Sequence, residues 1–199
     1  MTKEEKNEEI IKIKEYARRE NIPIMQDDGI EFLTSFIEKK GAKNILEIGT
    51  AIGYSAIMMA LVNSNVHVTT IERDEARYLE ALKNIKKFDL ENRITLIYND
   101  ALNVELEEEF DLIFIDAAKG KNKEFFNRFE NNLKNDGYII TDNMGFHGYV
   151  EMNEDEIPSK NIQGIVRKIK DYIYFLENNM QYKTIIYKIG DGIAVTERR

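Results

Sequence analysis

Cysteine and tryptophan are absent from the 199 residues, and proline occurs only at Pro23 and Pro158. Without cysteine the chain can build neither a disulfide framework nor a thiolate metal site. No apolar run is long enough to span a bilayer, and the first residues, MTKEEKNEEIIKIKEY, are charged where a secretory signal would be apolar. The expectation is a soluble, cytoplasmic protein with no membrane partner. Basic charge is also in deficit, since Lys+Arg 28 against Asp+Glu 36 gives a formal net charge of −8. That argues against a broad basic face coating nucleic acid. Local basic clusters remain at Lys12/Lys14/Arg18/Arg19, Lys119/Lys121/Lys123 and Arg167/Lys168/Lys170. Each falls in a helix-like pattern, where solvated lysines are the ordinary reading.

What is present is a regular alternation of elements. A hydrophobic content of 43% over this length suits one core, so the expectation is a single domain over 1–199 with an N-terminal helical cap over about 1–40. The runs NILEIG, HVTTIE, RITLIYN, FDLIFID and GYIITD are short, β-branched and bounded by turn residues, as buried strands are. Helical spacing separates them: Leu79, Leu82, Ile85 and Phe88 in one segment, Phe125, Phe126, Phe129 and Leu133 in another. A third segment repeats at Ile162, Ile165, Val166, Ile169, Ile173 and Leu176. Two helices are expected at the start, Lys3 to Glu20 and Asp27 to Lys40, joined by NIPIM and placed to cap a site or form a subunit interface. The chain closes with YKTIIYKIG and GIAVTER around Gly190, Asp191 and Gly192, too tight a connection for a parallel pair. The expected fold is α/β: a doubly wound, mostly parallel, seven-stranded sheet ending in an antiparallel hairpin, the Rossmann-like organisation of class I methyltransferases.

In an open α/β sheet, ligands bind beyond the carboxyl ends of the strands, which singles out the loop from Gly49 to Gly53 in ILEIGTAIGYS. A dinucleotide fingerprint would space glycines so that pyrophosphate could reach a helix N-terminus. Here Glu47 precedes the turn, and a carboxylate repels an anion but tolerates a cation. S-adenosylmethionine, with a positive sulfonium and amino group and no phosphate, satisfies that constraint. Glu72 ends the second strand, where an acidic residue can accept from ribose hydroxyls, and Asp100-Ala101 follows the third, beside an adenine edge.

The fourth and fifth strands end in FIDAAKG and IITDN, bringing Asp116, Asp142 and Asn143 to neighbouring strand ends. An all-oxygen donor set suits a hard cation, Mg²⁺ first, with Ca²⁺ or Mn²⁺ as alternatives. Lys119, one helical turn from Asp116, is placed to act as a general base, because a neighbouring divalent cation favours its neutral form. His67 and His147 are left unassigned. The loop from Gly145 to Lys160 is long and polar and lacks a clear period, so it is expected to be mobile.

From about Pro23 to the C-terminus, LEIGTAIGYS, TIER, FIDAAKG, ITDN and GDGIAV resemble the motifs of the cation-dependent O-methyltransferase family that includes catechol and caffeoyl-CoA methyltransferases. The resemblance implies that Met25, Glu47, Gly49, Ser55, Glu72, Asp100, Ala101 and Asp116 bind S-adenosylmethionine. It also implies that Asp116, Asp142 and Asn143 bind Mg²⁺, that Lys119 is the catalytic base, and that the protein is a homodimer. Within the family, IPIM, GTAIGYSAI, IDAAKG and the closing GDG are similar to bacterial tRNA 5-hydroxyuridine methyltransferases, which make 5-methoxyuridine at the wobble position. That implies the tRNA anticodon region as partner. Small-molecule members more often carry an acidic residue in place of Ala118 and a tryptophan in place of Phe146. A catechol-like small molecule remains the alternative acceptor, since its adjacent hydroxyls form the same chelating pair. A non-catalytic nucleotide-binding module is the third reading.

Overall fold

The computed structural model describes residues 1–199. Two helices come first, α1 (Lys3–Arg19) and α2 (Asp27–Lys40), followed by β1 (Asn44–Ile48), α3 (Tyr54–Leu61), β2 (His67–Glu72), α4 (Glu75–Lys87) and β3 (Ile94–Tyr98). The second half contains β4 (Phe110–Ile115), α5 (Asn122–Phe129), β5 (Leu133–Thr141), α6 (Lys160–Glu177), β6 (Tyr182–Tyr187) and β7 (Ile193–Arg198). Local signals set several of the ends. Thr2 and Glu5 cap α1 reciprocally, Asp74 accepts from the Arg77 amide to start α4, and Gly41, at φ 65°, stops α2. No helix is long and apolar enough to cross a membrane.

The strands form one sheet in the order β3-β2-β1-β4-β5-β7-β6, with β7 antiparallel to both of its neighbours. Strand order reverses between β1 and β4, which are paired in parallel, and this opens a crevice at their carboxyl ends. Alternation along each strand feeds two separate cores. Ile45 of β1 and Leu112 and Phe114 of β4 pack with residues of α1 to α4, whereas Leu46, Ile48, Ile113 and Ile115 pack with α5 and α6.

The seven strands, their order of succession and the closing hairpin match the sequence expectation; two apolar faces do not. Leu79 and Leu82 point to solvent, at 56% and 43% exposure, while Ala81 and Ile85 are buried. Close approach decides this face. A Cβ on Gly53 would lie 3.4 Å from Ala81, and Asn84 donates to the Ile52 carbonyl at 2.9 Å, so α4 turns a small residue and an amide toward the loop after β1. Leu133 belongs to β5 and not to α5, because the helix stops at Phe129 and a 3₁₀ turn, Glu130–Asn132, intervenes. The segment from Gly145 to Lys160 contains two 3₁₀ turns, Tyr149–Glu151 and Glu154–Glu156, and buries Ile157.

The second core depends on aromatic contacts: Phe126 is 1% exposed and meets Tyr172, Phe175 and Tyr182 edge-on. Phe126→Ala should lower the unfolding free energy by about 3–5 kcal/mol in urea titration. Leu79→Ala should change it by no more than about 0.5 kcal/mol; a large loss there would contradict the observed face of α4.

Candidate active site

The crevice is a cavity of about 440 Å³ at the carboxyl ends of β1, β2, β4 and β5. Its rear wall is the loop from Gly49 to Gly53. Gly49 has φ 99°, and a Cβ there would fall 2.2 Å from the Asp116 carbonyl oxygen, so only glycine lets β1 leave the sheet so close to β4. The NIPIM linker closes the opposite side: Pro23, Ile24 and the buried Met25 all line the cavity. Asp28 of α2 accepts from the Gly190 amide at 2.9 Å, tying the N-terminal helices to the β6-β7 turn.

Glu72 is held by the backbone. Its oxygens accept from the amides of Ala51 (2.8 Å), Arg73 and Asp74 (2.9 Å each), which leaves room for about one further regular hydrogen bond on the carboxylate. Asp100 accepts from the Leu102 amide at 3.0 Å and from Arg73 at 3.3 Å. These partners, the amide first, hold it below the usual carboxylate range. Ala101 and Ser55 also line the cavity.

Glu47 lies elsewhere. It is fully buried beneath the loop, off the cavity wall, with Ser55 and Thr70 both donating to its carboxyl group, the latter at 2.5 Å. Burial pushes its pKa up to about 7, against the pull of those two hydroxyls. A group poised there ionises more readily when a cation sits nearby. Glu47 therefore acts on the cavity through Ser55 and through space.

The proposed metal residues converge. Asp116 sits on the cavity wall, and desolvation first, then the proximity of Glu47, raise its pKa to about 6. Asp142 is 7% exposed, and burial first, then Asp116, raise it to about 7. Asn143, at φ 63°, bridges them to the lysine: its amide donates to Asp116 at 2.8 Å and its oxygen accepts from Lys119 Nζ at 2.7 Å. Two crowded carboxyls whose charged forms disfavour each other, beside an amide oxygen with a second lone pair free of its lysine partner, fit a hard divalent cation.

Lys119 opens the 3₁₀ turn Lys119–Lys121, and its ammonium also lies 4.9 Å from the Phe146 ring centroid. Its ionic neighbour across the cavity, Asp191, carries no local sequence signal. Asp191 Oδ2 is 4.0 Å from Lys119 and 3.8 Å from His147 Nδ1, with no hydrogen-bond partner, while Oδ1 accepts from the His147 amide at 2.5 Å. The signal was topological: β7 pairs with β5, which carries the turn at Asp191 to the carboxyl end of the sheet. Tyr54, Arg73 and Arg77 also line the cavity.

The O-methyltransferase family model matches residues 2–199. A caffeoyl-CoA O-methyltransferase from Populus kitakamiensis is 29% identical over 194 residues, covering 93% of this chain and 82% of that protein. Among solved structures, a Staphylococcus aureus protein described as a caffeoyl-CoA O-methyltransferase superposes with a TM-score of 0.90 at 36% identity, covering 96% of this chain and 92% of that one. An O-methyltransferase from Bacillus cereus, solved in complex with SAH, gives a TM-score of 0.83 at 26% identity, covering 96% and 91%. The chain belongs to the O-methyltransferase family and is an S-adenosylmethionine-dependent O-methyltransferase.

Proposed function

We propose that this protein methylates one hydroxyl of an acceptor bearing two adjacent oxygens, with a divalent cation, Mg²⁺ first, held by Asp116, Asp142 and Asn143, and that the acceptor is wobble 5-hydroxyuridine in tRNA. The observation that carries the chemistry is the placement of Lys119 Nζ 2.7 Å from Asn143, beside the two raised carboxyls. When bound, S-adenosylmethionine supplies an electrophilic methyl group on a positive sulfur. When bound, Mg²⁺ supplies Lewis acidity that makes an acceptor hydroxyl easier to ionise.

The chain's own residues do the rest. Lys119 takes the hydroxyl proton, and Asp191 and the Phe146 ring hold the resulting ammonium in place. Pro23, Ile24 and the buried Met25 of the NIPIM linker close one side of the cavity against water. Phe146, His147 and Tyr149 form an aromatic lip, with ring centroids 5.6 and 5.9 Å apart for the pairs that Phe146 makes, and such a lip suits stacking on an unpaired base. The motifs shared with tRNA 5-hydroxyuridine methyltransferases support this acceptor. A neutral catechol is the second reading, favoured by the net charge of −8 and by the exposed acids Glu151, Glu154, Asp155 and Glu156.

Lys119→Ala should lower kcat by about 10²- to 10⁴-fold while leaving S-adenosylmethionine affinity, measured by calorimetry, within a small factor. Full activity in that variant would remove the base assignment. The acceptor is tested by incubating the protein with methyl-labelled S-adenosylmethionine, Mg²⁺ and either hydroxyuridine-containing tRNA or a catechol. Labelled 5-methoxyuridine after digestion is the expected product; label confined to the catechol would replace the tRNA reading with the second one.

Cation binding has a readout independent of turnover. A carboxyl whose folded pKa lies above its unfolded value binds its proton more tightly when folded. The stability contributed by Glu47, Asp116 and Asp142 is therefore present below the ordinary values of 3.8 and 4.5 and lost as pH rises through about 6 to 7. Without metal, Tm should fall between about pH 5 and about pH 8. Added Mg²⁺ should raise Tm more at the upper end, where protons no longer compete for the ligands, and Asp142→Asn should abolish that response. A wild-type Tm indifferent to Mg²⁺ at the upper end would count against the cation site.

A further inference from the structure

The segment that leaves β5 beside the cavity has an uncommon backbone. Phe146, His147 and Gly148 follow one another at φ 45°, 56° and 81°. Left-handed residues are ordinarily single and ordinarily glycine or asparagine, because a Cβ crowds the following carbonyl. A bulky phenylalanine in that region is an outlier, and it persists only where surrounding contacts impose it. The turn closes on itself: the Gly148 amide donates to the Gly145 carbonyl at 3.1 Å and the Tyr149 amide to the Phe146 carbonyl at 3.0 Å.

What imposes it comes from near the other end of the chain. Two hydrogen bonds reach residues 145–148 from elsewhere in the fold, and both end on Asp191. The Gly145 amide donates to the Asp191 carbonyl at 2.6 Å, and the His147 amide donates to Asp191 Oδ1 at 2.5 Å. The two segments are pressed together, since a Cβ on Gly192 would fall 2.8 Å from the Gly145 nitrogen. The turn that carries Asp191 is fixed in its own right, by the bond from the Gly190 amide to Asp28 of α2 at 2.9 Å. The Asp191 side chain is only 8% exposed, so water competes little for its bond to the left-handed turn.

We propose that Asp191 is a positioning residue for acceptor recognition: by holding the His147 amide it maintains the left-handed turn, and the turn fixes how far the Phe146 ring stands from Lys119. That ring is half-buried, with its centroid 4.9 Å from Lys119 Nζ. A flat acceptor ring can enter beside an aromatic face held at a set distance from the base, whereas a thicker one must displace the turn. The two oxygens of Asp191 thus have separate tasks. Oδ1 holds the turn, and Oδ2 presents its charge to Lys119 at 4.0 Å. The proposal rests on the reading of the acceptor as a planar ring with two adjacent oxygens, and adds the residue that shapes its entrance.

The test exploits the absence of tryptophan, because Phe146→Trp places a single indole on the turn. Acrylamide quenching of that indole is measured in the ligand-free, full-length protein. Adding Asp191→Ala should raise the quenching constant toward that of a solvent-exposed indole. Asp191→Asn, whose amide oxygen can still accept from His147, should leave it close to the parent value. Lys188→Ala, which breaks the exposed ion pair of the same β6-β7 connection with Glu151, should leave it unchanged. With Phe146 restored, kinetics are measured on whichever of hydroxyuridine-containing tRNA and catechol is methylated. Asp191→Ala should raise the acceptor KM by about 10- to 100-fold, the worth of one hydrogen bond to a charged group, while calorimetric affinity for S-adenosylmethionine stays within a small factor. Asp191→Asn should lower kcat and leave that KM near the wild-type value. Unchanged quenching in Asp191→Ala, equal quenching in Lys188→Ala, an unchanged acceptor KM, or a parallel loss of S-adenosylmethionine affinity would each overturn the proposal. Raised quenching in Asp191→Ala, with neither acceptor methylated by the wild type, would leave the hold of Asp191 on the turn standing and remove the acceptor reading.

Discussion

Gly49 is the point on which the site depends. Its missing side chain lets the end of β1 lie against the Asp116 carbonyl at the end of β4, and its positive φ turns the chain into the loop before α3. Because strand order reverses there, the same close approach opens the crevice and sets its width. Any larger residue would push β1 and β4 apart where Glu47, Asp116 and Asp142 must remain near one another. The fit of the cofactor loop and the spacing of the acids are thus one constraint.

That spacing gives the site its electrical character. Glu47, Asp116 and Asp142 are all raised by desolvation, and each of the two aspartates is raised further by an acidic neighbour. Ionising all three together is unfavourable, so the arrangement favours a positively charged occupant. Lys119 and Asn143 temper the repulsion from within the chain, and Asp191 holds Lys119 from the far side. An O-methyltransferase needs such a balance, because its cofactor is positive and its nucleophile must become negative.

Much of this was legible in the sequence because strand ends in an α/β sheet are easy to locate. Short β-branched runs identify the strands, and the residue after each run falls at the carboxyl edge, which is how Glu72, Asp100, Asp116, Asp142 and Asn143 were recognised. Burial along helices was less legible. Leu79 and Leu82 fit an apolar period, yet α4 turns Ala81 and Asn84 inward, because the loop at Gly53 leaves space only for a small side chain. Leu133 fits the period of α5 but begins a strand, since propensity cannot register the turn at Glu130–Asn132.

Periodicity and residue type were enough to give the order of strands and helices and the acidic residues that follow the strands. Packing between distant segments placed Glu47 behind Ser55 and off the cavity wall, turned Asp191 toward Lys119, and laid the Lys168 side chain across Gly120. The physical reason is the same in each case. These relations depend on which strands and helices lie side by side, and contacts between residues far apart in the chain leave no period in it.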